Sequence, residues 1–153
     1  MRSAAAAFAL GLTLGLALGA AVPAGAAEEA PRTLYLLRCS GCHGLDGSGS
    51  KAGRVPGLSA IGRILAHRDG ALYLANVPGV ENAGLSPAAT ARLLNWAVGV
   101  WGGLPADQPA PTLTGEQIGR LRKVPVDDLV ALRARIAADL AARGIDIGSY
   151  SGN

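Results

Sequence analysis

The sequence is short of aromatic side chains, sulfur, histidine and strand signals. One Phe, two Trp and three Tyr are the whole aromatic complement of 153 residues. That is little to build an interior from, so something other than side chains is expected to fill part of it. The only Met is Met1, in a segment expected to be removed, which leaves the folded chain no thioether sulfur to use as a ligand. Cys occurs only as Cys39 and Cys42, far from the end of that segment, so a lipid-anchored lipoprotein is not expected. His occurs only as His43 and His67. Sustained apolar–polar alternation and β-branched clusters are missing, which argues against a sheet. The 14 Lys and Arg against 11 Asp and Glu are scattered, with no basic run interleaved with aromatics. Nucleic-acid binding therefore has no support.

What is present begins with a leader. Arg2 precedes an uncharged stretch, Ala4 to Val22, dominated by Ala, Leu and Gly, and Ala24-Gly25-Ala26 has the small-x-small form read by signal peptidases. Residues 1–26 are expected to be a cleaved signal peptide that sends the chain to the periplasm; left uncleaved, they would be a membrane anchor. The remainder suits one compact domain. Its helical patterns recur, so the expected class is all-α. One helix is predicted from Pro31 into the Cys39 region, another from Asp69 to before Pro78, and the clearest from Ser86 to about Trp101. Thr114 and Gln117 have capping-box spacing and open a helix to about Lys123, and a last helix is predicted over about Val126 to Arg143. Frequent glycine implies long loops, the first being an irregular segment from Gly44 to Gly62. The Pro- and Ala-rich stretch 102–112 reads as a linker. It would divide a main domain, 27–101, from a C-terminal helical extension, 113–153. There is no internal repeat.

Cys39-Ser40-Gly41-Cys42-His43 carries the chemistry. It is the sequence form of a c-type haem attachment site. Thiols three positions apart can reach the two vinyl groups on one porphyrin edge and form thioethers. The imidazole that follows is then carried beneath the ring, within bonding distance of iron. Small residues at 40 and 41 let the backbone pass close to that edge. Two other readings use the same residues. One is a redox-active disulfide, which needs a βαβ context; the other is a zinc site completed by His43 and His67, although adjacent Cys42 and His43 suit tetrahedral geometry poorly. Haem is favoured, because a large apolar cofactor also replaces the missing aromatic core.

With this motif at the end of an N-terminal helix, Val55-Pro56-Gly57-Leu58 beyond it and the Ser86–Trp101 helix, residues 31 to 101 resemble the small class I c-type cytochromes. The resemblance implies a cytochrome c-like helical domain around one covalent haem c. Cys39 and Cys42 would be its attachment points and His43 the proximal iron ligand. Pro56 would turn its carbonyl to the other nitrogen of that imidazole; its plainer role is to shape a Gly-rich loop. Trp96 would sit where the first and last helices cross. The family usually supplies a distal Met, but Val77-Pro78-Gly79 stands in that place and His/Met ligation is excluded. His67 could be the distal ligand; so could a weaker group such as Asn76, Asn82, Tyr73, a Lys or water, or the position could be open. Loss of Met should lower the haem potential. The function implied is that of an electron-transfer protein, not an enzyme, moving one electron between periplasmic redox partners. The alternative is a haem ligand-binding or peroxidase-type protein, with His67 and Arg68 as its only distal acid–base cluster. The segment after Trp101 lies outside the resemblance, and removing residues beyond about Leu113 is expected to leave haem attachment intact.

Overall fold

Proline and short polar caps decide where this chain turns helical. The computed structural model describes residues 28–105 and 107–148, so the leader expected over 1–26 lies outside the described residues. Helix α1, Pro31–Arg38, starts on a proline at its first turn and buries Leu34 and Tyr35. A single turn, α2, Ser40–His43, follows at once and ends on Gly44 at φ 75°, a left-handed conformation that suits glycine. Next come α3, Ile61–Leu65, α4, Gly70–Asn76, and the short α5, Pro78–Glu81. Ser86 caps α6, Pro87–Trp101, by accepting the N–H of Ala89, and Pro87 fills the first helical position.

Thr114 and Gln117 form the full reciprocal capping box at the start of α7, Gly115–Leu121. Helix α8, Leu129–Ala141, begins three residues later than the Val126 expected from its pattern. Asp128 is its cap, accepting the N–H of Ala131 from an extended backbone, and a cap residue is not itself helical. The described residues contain no strand, only an isolated antiparallel bridge between Ser50 and Val55. The chain is all-α. No helix among the described residues is long and apolar enough to cross a membrane.

Helix α3 falls at the end of the segment expected to be irregular. Its Gly62 looks like a helix breaker, but packing explains it. The Gly62 N–H donates to the Gly102 carbonyl at 3.0 Å, and a Cβ there would stand 2.7 Å from that same oxygen. Glycine is kept for close approach, a tertiary need that no local pattern reveals.

The larger departure concerns the C-terminal third. It is not a separate arm beyond a linker. Leu113, Ile118, Leu132, Ile136, Leu140 and Ile147 are buried in one continuous cluster with Ile61, Leu65, Leu74, Leu94 and Val98. Asn95 on α6 holds the end of the 102–112 stretch by a reciprocal pair, its amide donating to the Leu113 carbonyl and its oxygen accepting the Leu113 N–H, both at 2.9 Å. Asn76 ties α4 to α7 by donating to the Leu121 carbonyl at 3.2 Å. Helices α7 and α8 close one side of the core, so the expectation that residues beyond Leu113 are dispensable runs against the packing. Cutting there removes five buried aliphatic residues, each worth about 1.5–3 kcal/mol of burial.

A candidate cofactor site

The crossing of α1 and α6 sets the frame of the site. Tyr35 on α1 meets Trp96 and Trp101 on α6 at ring-centroid distances of 5.5 and 4.7 Å, and the two indoles lie edge to face at 5.3 Å. Such tilted aromatic contacts add to plain burial. The Tyr35 hydroxyl donates to the Gly44 carbonyl, which ties the frame to the end of the Cys–His turn.

Within α2 the His43 N–H donates to the Cys39 carbonyl at 2.9 Å and the Cys42 N–H to the same oxygen at 3.1 Å. Cys39, Cys42 and His43 therefore share one side of a helical turn, as positions three and four apart must. Cys39 is half-buried and Cys42 is exposed; both are free thiols. Burial pushes the Cys39 thiol up from its ordinary value, and Cys42 beside it adds to the effect.

The loop after His43 bends back on it. Gly49 donates its N–H to the His43 carbonyl at 2.8 Å, and Ser50 and Val55 exchange both backbone bonds at 2.9 Å. Gly49 sits at φ 79°, where a Cβ would come within 2.4 Å of the Val55 carbonyl, so the closure needs glycine twice over. It delivers the next residue, Pro56, with its carbonyl 3.1 Å from His43 Nδ1. A carbonyl only accepts, so Nδ1 carries the proton and Nε2 keeps a lone pair free for a ligand. Burial lowers the His43 pKa from its ordinary value, while the Pro56 carbonyl pulls it part of the way back; both act on an imidazole available in its neutral form.

His43, Cys39 and Pro56 line a common cavity of about 890 Å³, counted out to its open mouth. The walls are chiefly aliphatic, from Ile61 and Ile64 on α3, Leu74 on α4, Leu93 and Leu94 on α6, and Val77 and Val80 around α5. Arg133 and Ile147, from the C-terminal third, also line it. A flat apolar cofactor fits this donor set and lining, with the Cys39 thiol and one oriented imidazole among hydrocarbon walls and the exposed Cys42 three positions further along the same turn.

Other residues singled out from the sequence fall elsewhere. His67 does not reach the cavity. It is buried, its Nδ1 accepts the Asp69 N–H at 3.1 Å, and its Nε2 lies 3.2 Å from the Asp139 carboxylate. With Nδ1 accepting, Nε2 carries the proton and donates to Asp139, leaving no lone pair for a metal. His67 pins α8 to the start of α4, so as a distal ligand it has to be set aside. Asn76 is spent on the Leu72 and Leu121 carbonyls, and Asn82 is not in the cavity wall. Tyr73 is. Zinc fares no better, because among the described residues no group of three or more His, Cys, Asp or Glu could hold a metal ion.

No protein-family model matches the chain, and neither does any curated protein or solved structure.

Proposed function

We propose that the chain is a single-haem c-type cytochrome that carries one electron at a time between periplasmic redox partners. Cys39 and Cys42 would hold haem c through two thioethers, and His43 Nε2 would be the proximal ligand. The observation that carries this reading is the 3.1 Å contact between His43 Nδ1 and the Pro56 carbonyl on the wall of an apolar cavity that Cys39 also lines. A carbonyl behind an imidazole fixes its tautomer and makes it a better donor to a metal. A disulfide site has no use for that arrangement. When bound, haem c supplies reversible one-electron chemistry at iron.

The chain's own part is to orient His43, to keep water from most of the ring with aliphatic walls, and to leave Cys42 exposed. Leu37 and Leu45, on either side of the motif in the chain, are 63% and 77% exposed. Exposed apolar groups flanking the motif suit small, brief contacts with partners.

A second reading keeps the haem and changes what it does. Apart from the motif residues, the described side chains lining the cavity include no imidazole, thioether, amine or amide, and of the distal candidates named from the sequence only the Tyr73 phenol lines it. A sixth position with no strong ligand would admit small molecules, and the protein would then be a ligand-binding or peroxidase-type haem protein. The motif does not choose between them, but spectra do.

The test is mass spectrometry of the secreted protein made together with haem-attachment machinery. A polypeptide heavier by one haem is expected, and a bare mass would sink both readings. Slow or negligible carbon monoxide binding to the reduced protein would favour electron carriage. Fast binding with hydrogen peroxide turnover would favour the second reading.

A further inference from the structure

One stretch of the cavity wall is thin. Val77, Val80, Ala83 and Leu85 line the cavity and are half-buried, while Pro78, Glu81, Asn82 and Gly84 between them are exposed. Gly79 is both exposed and part of the lining. None of residues 77–85 is fully buried, so a single layer of chain stands there between the cavity and solvent. Elsewhere on the wall Ile61, Ile64, Leu74, Leu93 and Leu94 are buried. The stretch is also loosely packed. A Cβ added at Gly79 or Gly84 would meet nothing beyond its chain neighbours within 4 Å, and α5 is a single turn. Few buried contacts mark a part of a fold that opens locally, well below the cost of global unfolding.

Arg122 fastens this stretch. It follows Leu121 at the end of α7, whose carbonyl Asn76 already ties to α4. From that anchored point Nη1 donates to the Leu85 carbonyl at 3.3 Å, and Nη2 donates to the Val80 carbonyl at 3.2 Å and the Thr90 hydroxyl at 3.1 Å. Thr90 is buried on α6, lines the cavity, and donates its own proton to the Ser86 carbonyl. One guanidinium therefore joins two carbonyls of the thin stretch to the first turn of α6, a span that its planar fork of donors suits. Among the described residues no carboxylate pairs with Arg122. Its Nε is shut away from solvent without a partner. A buried donor left unpaired is costly, so this clamp closes with one bond missing and opens more readily than a fully satisfied one.

We infer that Arg122 is a positioning residue that latches residues 77–85 over the cavity, and that its release admits small neutral molecules, diatomic gases above all, to the bound cofactor. The apolar side chains of the stretch favour such molecules over ions. The inference rests on the haem reading for what is reached; the latch is a property of the chain alone. It also gives the end of α7 a part in the site, through a residue that does not itself line the cavity.

The test uses the full secreted protein with its haem. Arg122→Met keeps the aliphatic stem and removes the fork. The Glu81 and Asn82 amides, which donate to the Val77 and Pro78 carbonyls at 2.9 and 3.0 Å, should then exchange their hydrogens at least about tenfold faster, as expected for losing one hydrogen bond to a charged group. Carbon monoxide should bind the reduced variant faster by a similar factor. Ile136→Ala loosens the fold from a buried site that does not line the cavity, and it should leave those two amides and the carbon monoxide rate at wild-type values. If Arg122→Met does not fold, Arg122→Lys carries the same comparison, since it keeps the charge without the planar fork. Unchanged amide exchange, an equal acceleration in Ile136→Ala, or faster exchange with unaltered carbon monoxide binding overturns the proposal. A wild-type protein without haem mass is a different result. It removes the haem reading, and amide exchange in the bare chain then decides whether Arg122 is a latch.

Discussion

The α1–α2 turn with its return loop, residues 31–58, and the C-terminal pair α7 and α8 contribute to the same cavity in opposite ways. In the first, chemistry sits in consecutive residues: two thiols and an imidazole in five positions, with a proline following in the loop. In the second, nothing local announces a role, yet Ile118, Leu132, Ile136, Leu140 and Ile147 are buried among the residues that back the cavity. One region supplies reactive groups and the other supplies the volume that holds them. If so, damage to the first should change chemistry while leaving a fold, and damage to the second should take both.

The widest separation should come from paired variants. Cys39→Ser with Cys42→Ser should abolish covalent attachment altogether, read as loss of the haem-stained band from denaturing gels. Ending the chain after Leu113 should remove the folded protein as well. The lost burial of five aliphatic side chains, about 1.5–3 kcal/mol each, is comparable with the roughly 5–15 kcal/mol that holds a typical domain together. Proteolysis of the truncated product would check this. A soluble, haem-stained fragment would show that α7 and α8 are an appendage after all.

Within the C-terminal region, Ile136→Ala should cost about 2–5 kcal/mol in a fully buried site, measured by denaturant unfolding. The haem absorption spectrum should stay unchanged, since Ile136 backs the cavity without lining it. In the motif region, Gly49→Ala should cost about 1–3 kcal/mol for the left-handed backbone, and more for the close approach of the Val55 carbonyl. Unlike Ile136→Ala, it should also alter the spectrum, because Pro56 would be displaced from His43. If both variants shift the spectrum alike, the two regions are not separable in the way argued.

How much of this is readable in the sequence follows the same divide. The caps of α6, α7 and α8 are local, a side chain bonding three residues ahead, and Ser86 and Thr114 are legible from spacing alone. The class of fold is legible too, since it rests on a periodicity repeated in several segments. Gly62 and Gly102 are not, because their meaning is a 3.0 Å approach between segments forty residues apart. The linker reading fails for a related reason. Pro and Ala do mark irregular chain, but whether that chain separates two bodies depends on Asn95 reaching across to clamp Leu113. For the site, Cys39, Cys42 and His43 stand out in one line of sequence, whereas Arg133 looks like any other basic residue on an amphipathic helix. Only its burial against the cavity wall distinguishes it, and burial of a charged residue is a tertiary fact.

The smallest expected effect concerns the second histidine, and it is the sharpest test of which region serves iron. His67 sits where α4 meets α8, with Asp69 and Asp139 taking its two ring nitrogens. Asp139 is half exposed, so solvent screens that pair and its loss should be modest. The bond from the Asp69 N–H is more sheltered. His67→Gln, which keeps both accepting and donating capacity, should lower the unfolding free energy by about 1 kcal/mol and leave the haem absorption and magnetic spectra in both redox states superimposable on wild type. A ligand to iron cannot be replaced so quietly. A change from low-spin to high-spin signature in this variant would mean that His67 leaves its hydrogen-bonded seat when haem binds, and that the C-terminal region feeds a ligand to the metal as well as a wall to the cavity.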